Sequence, residues 1–154
     1  MFNIVLVNPQ IPQNTGSIGR ICVNTNSVLH IIKPIGFDMS QKALRRAGLD
    51  YWKLLDVRLW ESIDEFYEKN LDDIERFYFS TTKSDKPYFK MEFKKGDYLF
   101  FGSETSGIPM EFMQKNSKNM MTIPMGENGR SLNLSVAVGI VLYDAIRQVG
   151  GVIE

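Results

Sequence analysis

The most informative part of this chain is the connection Ile123-Pro-Met-Gly-Glu-Asn-Gly-Arg-Ser-Leu-Asn-Leu-Ser135. Its first residues are apolar and predict a short strand, and the apolar residues after it, up to Val149, recur at helical spacing. A strand that enters a helix through a polar loop is the building unit of an α/β fold. Ser131, Asn133 and Ser135 can each cap the helix, although one cap would suffice. The surplus of glycines and polar groups also suits a ligand-binding loop, so both interpretations stay open.

The composition is that of an ordinary globular domain and narrows the function classes. The chain has 154 residues, 44% of them hydrophobic and 23% charged, which is enough for a buried core. Its 18 basic and 18 acidic side chains cancel, so contact with a nucleic acid requires a local basic patch. One cysteine and one histidine do not make a disulfide framework or a transition-metal centre, and no metal is expected. With no basic leader and no apolar run of bilayer length, the sequence predicts a cytoplasmic protein without a membrane partner.

Short apolar segments alternate with helical patterns along the whole chain. This alternation is typical of a mostly parallel sheet covered by helices on both faces, so the predicted class is α/β, in a single domain over residues 1–154. The predicted strands are Asn3–Val7, Val28–Ile32, Val57–Trp60, Phe77–Thr81, Tyr98–Phe101 and Met121–Ile123. The predicted helices are Gly16–Thr25, Ser40–Ala47, Ser62–Asn70, Pro109–Lys115 and the C-terminal one.

Three polar loops follow predicted strands, and in a parallel sheet ligands bind beyond the carboxyl ends of the strands. The loops are Asn8–Gly16, Gly102–Gly107 and the connection quoted above. The sequence lacks both a G-x-G-x-x-G fingerprint after the first strand and a G-x-x-x-x-G-K-[ST] loop, which argues against a dinucleotide-binding oxidoreductase and a P-loop NTPase. His30 lies in an apolar, strand-like run and is interpreted as a structural histidine rather than a base.

The three loops resemble, in order, the signature motifs of the SPOUT superfamily, the trefoil-knotted methyltransferases that use S-adenosylmethionine. The matching segments are Asn8–Arg20, Phe101–Pro109 and Ile123–Ser135, and together they span almost the whole chain. The closest resemblance is to the minimal, single-domain tRNA 2′-O-methyltransferases that modify the wobble nucleotide of the anticodon loop. The segment Leu44–Tyr51 is similar to that subgroup as well.

The resemblance implies a C-terminal deep trefoil knot, a homodimer, and the tRNA anticodon stem-loop as a partner. It also assigns roles to individual residues. The implied cofactor-binding residues for S-adenosylmethionine are Ser80, Gly102, Ile123 and Ser131. The implied catalytic residues are Asn14, Arg20, Ser131 and Asn133. The expected substrate-binding residues are Arg45, Arg46, Glu104 and Arg130.

Several of these residues have a second interpretation. Asn14 and Asn133 are suited to holding a ribose, but they also suit loop and cap chemistry. Glu104 either satisfies loop amides or favours the cationic cofactor electrostatically. Related enzymes are discussed as using the arginine that corresponds to Arg20 as a base. Guanidinium groups ordinarily keep their proton up to about pH 12, so a charged clamp on the substrate phosphate fits arginine chemistry better.

Arg45 and Arg46 form, with two lysines and the aromatic residues Tyr51 and Trp52, a compact basic cluster that suits an RNA stem-loop. Tyr143 lies on the last helix among small residues, which suits either a dimer face or an internal core face. Two other functions compete with wobble methylation. One is ribosomal RNA 2′-O-methylation, although larger RNA substrates often go with added binding domains. The other is a non-catalytic, knotted RNA-binding dimer, which the joint presence of all the polar motif residues disfavours.

Overall fold

The structure is a computed structural model that describes residues 1–40, 42 and 50–154. Within this part of the chain the strands are Asn3–Val7 (β1), Val28–Ile32 (β2), Val57–Trp60 (β3), Phe77–Ser80 (β4), Tyr98–Phe101 (β5) and Met120–Met121 (β6). They form one sheet in the order β3-β2-β1-β5-β4-β6, and all the paired strands run parallel. The predicted α/β class and parallel sheet are therefore confirmed.

The helices of the described residues follow the predicted pattern, with shifted ends. The α-helices are Pro12–Asn24 (α1), Ile63–Lys69 (α2), Met110–Met113 (α3) and Leu134–Gln148 (α4). Shorter 3-10 helices span Asp50–Leu54, Leu71–Arg76, Tyr88–Lys90 and Gln114–Asn119. Most of the predicted helix Ser40–Ala47 lies outside the described residues.

Three local differences from the predicted elements have identifiable causes. Helix α1 begins before the predicted Gly16, because Pro12 sits in its first turn, where the missing N–H costs nothing. The helix predicted to begin at Pro109 starts one residue later, since Pro109 has an extended backbone. The last strand ends at Met121, because Thr122 makes only an isolated bridge, with Pro87.

The sheet buries both of its faces, because successive side chains of a strand point to opposite sides. On one face Ile4 and Leu6 of β1 pack in a cluster with α1 and α4, and on the other Val5 and Val7 pack with α2 and α3. Burying each large apolar side chain contributes roughly 1.5–3 kcal/mol. Since both faces are covered by helices, the carboxyl edge of the strands is where polar loops can gather. No helix among the described residues is long and apolar enough to span a bilayer.

His30 in β2 is buried and held by two polar neighbours. Trp60 Nε1 donates to His30 Nδ1 at 3.1 Å, so the ring proton sits on Nε2, which donates to Asn3 Oδ1 at 2.9 Å. The rings of Phe66 and Tyr98 pack against it. Burial lowers the pKa of His30 to about 4, and the nearby Arg58 charge adds to that shift. These contacts fit the structural role that the sequence predicts.

This histidine should make folding stability depend on pH. Its pKa lies near 4 in the folded protein, against 6.5 for the free group, so its contribution is complete above pH 6.5 and is lost as the pH falls toward 4. We expect a loss of about 3 kcal/mol in the free energy of unfolding over that window. Urea titrations of the wild type and of His30→Gln, repeated across the window, measure the difference. Parallel pH profiles for the two proteins would contradict the prediction.

Candidate active site

A cavity of about 540 Å³ lies at the carboxyl edge of the sheet, where the predicted polar loops converge. That volume falls within the range of small-molecule and cofactor sites. Its wall is built from Ser80–Lys83 at the end of β4, Gly102–Ile108 after β5, and Ser131–Leu134 at the start of α4. Further wall residues are Ile11, Asn14, Phe101, Thr122, Ile123, Met125 and Ala137.

The residues predicted to bind the cofactor all line this cavity. Ser80, Gly102, Ile123 and Ser131 come from four separate segments of the chain, and the fold brings them into one wall. Three of these segments lie at or after the ends of β4, β5 and β6. Since β4 pairs with both β5 and β6, these strand ends are close together. The fold therefore brings the four residues together, and their role in cofactor binding stays a prediction.

A directed chain of hydrogen bonds joins the three polar loops at one side of the cavity. Asn14 Nδ2 donates to Glu104 Oε2 at 3.3 Å, and Asn133 Nδ2 donates to Asn14 Oδ1 at 3.0 Å. Asn133 Oδ1 accepts from the backbone N–H groups of Ser135 at 2.9 Å and Val136 at 3.4 Å. Because an ionised carboxylate only accepts and a helix amide only donates, both ends of the chain fix the orientation of the two asparagine side chains. Both interpretations of Asn133 are thus compatible, since it caps α4 and faces the cavity.

Glu104 also holds the first loop in place. Besides the Asn14 amide, its carboxylate accepts from Gln10 N at 3.0 Å and from Ile11 N at 2.7 Å. The sequence left two roles open for Glu104. These contacts support the first, in which its carboxylate accepts hydrogen bonds from backbone amides of a loop. The carboxylate nevertheless lines the cavity and contributes negative charge to its wall.

The second loop folds back tightly on the end of β5. Ser103 Oγ accepts from Ser106 N at 2.9 Å, and Gly107 has a φ of +69°, a conformation that favours glycine. A Cβ at Gly102 would lie 2.4 Å from the Cα of Gly107 and 2.6 Å from the backbone N of Ile108. Gly102 is therefore required for the backbone to close the loop against the cavity.

Arg20 lies outside the wall of this cavity. It is about 9 Å along the axis of α1 from Asn14, on a different side of the helix. Its guanidinium lies 5.3 Å from the centroid of the Tyr51 ring, and the Tyr51 hydroxyl donates to Gly16 O. The resemblance grouped Arg20 with the implied catalytic residues, but within one chain its side chain packs on Tyr51. The fold thus brings Asn14, Ser131 and Asn133 together without Arg20.

Of the expected substrate-binding residues, only Glu104 is seen to line the cavity. Arg130 is exposed and outside the cavity wall, and Arg45 and Arg46 lie outside the described residues. Of the aromatic rings beside that cluster, Trp52 packs against α1, where a Cβ at Gly19 would lie 3.0 Å from its ring. Together with the Tyr51 contacts, this gives both rings a packing role.

Lys83 lines the cavity, and the sequence reasoning did not single it out. Its position in the sequence could have indicated this, because Thr81-Thr82-Lys83 directly follows an apolar strand, where ligand-binding loops are expected. The three polar loops predicted to bind a ligand did not include this segment.

Comparison with known proteins identifies the family. Residues 1–143 match the SpoU rRNA Methylase family. A tRNA (cytidine(34)-2'-O)-methyltransferase from Saccharophagus degradans is 45% identical over 151 residues, which cover 97% of each chain. A solved structure from work on the 2-OH methylation of C/U34 on tRNA is 40% identical, with a TM-score of 0.87 over 96% of this chain and 95% of that one.

A more distant structure shares the fold. The SpoU methyltransferase AviRb from Streptomyces viridochromogenes, solved in complex with the cofactor AdoMet, is 22% identical, with a TM-score of 0.79 over 95% of this chain and 57% of that one. The family that the three polar loops resemble is therefore confirmed. The match over nearly the whole chain shows that this protein belongs to the SpoU rRNA Methylase family.

Proposed function

We propose that this protein is an S-adenosylmethionine-dependent tRNA 2′-O-methyltransferase that acts on the ribose of the wobble pyrimidine in the anticodon loop, in the cytoplasm. The main support is that all three polar loops converge on one cavity. They are joined there by hydrogen bonds that run from Glu104 through Asn14 to Asn133. Relatives that are 40% to 45% identical over nearly the whole chain are named for this reaction. Ribosomal RNA methylation is the second candidate, favoured only by the family name.

The cavity wall fits S-adenosylmethionine chemically. Apolar side chains from Ile123, Leu134 and Ala137 suit an adenine ring, and Gly102 leaves backbone groups accessible. The Glu104 carboxylate favours a cationic ligand. When bound, S-adenosylmethionine supplies an activated methyl group on a sulfonium sulfur. We assign its binding to Ser80, Gly102, Ile123 and Ser131.

Positioning and charge carry the catalysis in this proposal. The Ser131 hydroxyl and the Asn14 and Asn133 amides are neutral hydrogen-bonding groups that hold the ribose and orient its 2′-hydroxyl. Glu104 already accepts three N–H groups, which makes it a poor general base. Arg20, as a charged donor to the phosphate of the reacting nucleotide, stabilises the negative charge that develops on the hydroxyl oxygen.

Methyl transfer from radiolabelled S-adenosylmethionine to tRNA that is unmodified at the wobble position tests the function. Nucleoside mapping should place the label on the ribose of a wobble cytidine or uridine. Ribosomal RNA serves as the competing substrate in the same assay. Label on ribosomal RNA alone would assign the second candidate, and RNA binding without any transfer would indicate a non-catalytic dimer.

We also propose that residues 1–154 form a single domain with a trefoil knot in its C-terminal part. Supporting contacts lie around the end of β6, where Thr81 N donates to Met121 O at 2.9 Å and Thr122 N donates to Lys86 O at 2.8 Å. Tyr88 N donates to Thr122 O at 2.9 Å, so the segment after β4 encloses this strand end. Pulling the unfolded chain from both termini tests for the knot, because a knot shortens the maximum end-to-end length. That length should stay below the roughly 3.5 Å per residue of a fully extended chain, and full extension would contradict the proposal.

A homodimer completes the proposed active site. Arg20 does not reach the cavity of its own chain, so a second copy can supply it. Val136 and Tyr143 lie two turns apart on one face of α4 and are 48% and 47% exposed. This outward position favours the dimer-face interpretation of Tyr143 over the core-face one. A minimal chain with no net charge also gains RNA-binding surface by pairing.

Mixing two inactive variants tests the shared site. We expect a dimer by light scattering, and we expect Arg20→Ala mixed with Asn133→Ala to recover about a quarter of the wild-type rate. That fraction follows because half of randomly mixed dimers are mixed, and each holds one intact site of two. Each variant alone is the control. An active monomer, or no recovery from a demonstrably mixed dimer, would contradict a site completed by the partner's arginine.

A further inference from the structure

Lys83 stands out among the residues that line the cavity. In the described part of the wall only Glu104 and Lys83 carry charged side chains. No ion pair or side-chain hydrogen bond engages the Lys83 ammonium among the described residues, whereas Lys33, Lys95 and Lys118 each pair with a glutamate. Lys83 therefore brings an unneutralised positive charge to the cavity rim.

The backbone around Lys83 is held firmly, which keeps its side chain near the cavity. Lys83 N donates to Thr81 Oγ1 at 3.2 Å, and the next residue, Ser84, donates from Oγ to Met120 O at 2.9 Å. Thr81 is itself tied to β6 through its backbone N–H, as described above. Because the chain is fastened on both sides of Lys83, only the side-chain torsions are left to be ordered when a ligand binds.

The position of Lys83 complements that of Glu104. Glu104 follows β5 and is bonded to the loop after β1, while Lys83 follows β4 and lies toward β6. Neighbouring strands are about 4.8 Å apart, so the two loops that carry these charges leave the sheet side by side. Thr81 and Thr82, which also line the cavity, are next to the lysine and carry neutral hydroxyl donors. A positive charge with hydroxyls beside it suits an oxyanion.

We propose that Lys83 binds an oxyanion of the reactants, either the α-carboxylate of S-adenosylmethionine or a phosphate of the reacting nucleotide. This inference rests on the proposed function and adds a binding residue to its site. Both groups present oxygen acceptors to the three donors of an ammonium group. A charge-assisted bond of this kind, formed at an exposed rim, is worth about a tenfold change in affinity.

Three variants separate the two sources. Lys83→Met removes the charge and keeps the length of the stem, and Lys83→Arg keeps the charge. Lys86→Met is the matched control, because Lys86 is exposed on the same segment and does not line the cavity. Calorimetry measures the affinity for S-adenosylhomocysteine, which keeps the carboxylate, and for 5′-methylthioadenosine, which lacks it. Single-turnover methyl transfer to an anticodon stem-loop measures the RNA concentration at half-saturation.

The expected results differ between the sources. If Lys83 binds the carboxylate, Lys83→Met weakens S-adenosylhomocysteine binding about tenfold and leaves 5′-methylthioadenosine unchanged. If it binds a phosphate, both cofactor-analogue affinities stay the same and the half-saturating RNA concentration rises about tenfold. The slope of log RNA affinity against log salt concentration then becomes shallower by roughly one. In either case Lys83→Arg keeps most of the binding.

Two outcomes would overturn the inference, and they are distinguishable. If the wild type binds S-adenosylhomocysteine and methylates RNA, but Lys83→Met matches Lys86→Met in every measurement, only the role of Lys83 is wrong. If the wild type neither binds S-adenosylhomocysteine nor transfers methyl groups, the proposed function fails, and the inference about Lys83 fails with it.

Discussion

A Gly102→Ala variant is expected to lose at least about a hundredfold in affinity for S-adenosylhomocysteine, or about 2.7 kcal/mol of binding free energy. The added Cβ would lie 2.4 Å from backbone atoms of Gly107 and 2.6 Å from the backbone N of Ile108. Backbone atoms cannot rotate away as a flexible side chain can, so the whole second loop must shift. That loop forms one wall of the cavity, so the shift deforms the proposed cofactor site. Calorimetry on the purified variant measures the loss.

Gly126→Ala is the matched control for this variant. Gly126 lies in the third loop, and a Cβ there would meet no atom within 4 Å, so the control should bind like the wild type. Circular dichroism and thermal unfolding establish that both variants are folded before binding is measured. Wild-type affinity in a folded Gly102→Ala protein would place the cofactor outside this cavity.

The sheet could be predicted closely because its strands are short apolar runs bounded by polar loops. Asn3–Val7, Val28–Ile32 and Tyr98–Phe101 begin and end as predicted, since side chains buried on both faces leave an unbroken apolar signal. The start of α1 was harder to predict. Asn14, Thr15 and Gly16 are weak helix formers, and they are helical here because Pro12 begins the turn.

Several of the residues that line the cavity were predictable, but the bonds between them were not. Ser80, Gly102, Ile123 and Ser131 line one cavity because they follow the ends of neighbouring strands or begin α4. The bond between Asn133 and Asn14 joins residues 119 positions apart, and no local pattern predicts such a contact. The same holds for Arg20, whose direction depends on the rotation of α1 and on a ring from a separate segment.

The Arg20→Ala variant is expected to lower the single-turnover rate of methyl transfer by roughly a hundredfold or more, about 3 kcal/mol of transition-state stabilisation. Affinity for S-adenosylhomocysteine should stay unchanged, because Arg20 lies outside the cavity wall. Arg20→Lys keeps the charge but loses the planar fork, so a small residual rate should survive. A parallel loss of cofactor affinity in Arg20→Ala would assign the residue to cofactor binding instead.

Tyr51 provides a control for the position of the guanidinium. The Tyr51 ring lies under Arg20, and its hydroxyl donates to Gly16 in the same helix. Tyr51→Phe keeps the ring and should retain most of the rate, whereas Tyr51→Leu removes the cation–π contact, worth about 0.5–1 kcal/mol at an exposed site. In the Arg20→Ala background the two Tyr51 variants should have equal rates. Unequal rates there would mean that Tyr51 acts independently of Arg20.

The pH dependence of the single-turnover rate separates a clamp from a base. A base must lose its own proton before it can accept one, so the rate would rise log-linearly with pH and then level off at a break. Guanidinium groups ordinarily keep their proton up to about pH 12, so a clamp produces no break of its own at neutral pH. We therefore expect the wild type and Arg20→Lys to have pH profiles of the same shape at different heights. A break near neutral pH that disappears in Arg20→Lys would refute the clamp and make Arg20 the base.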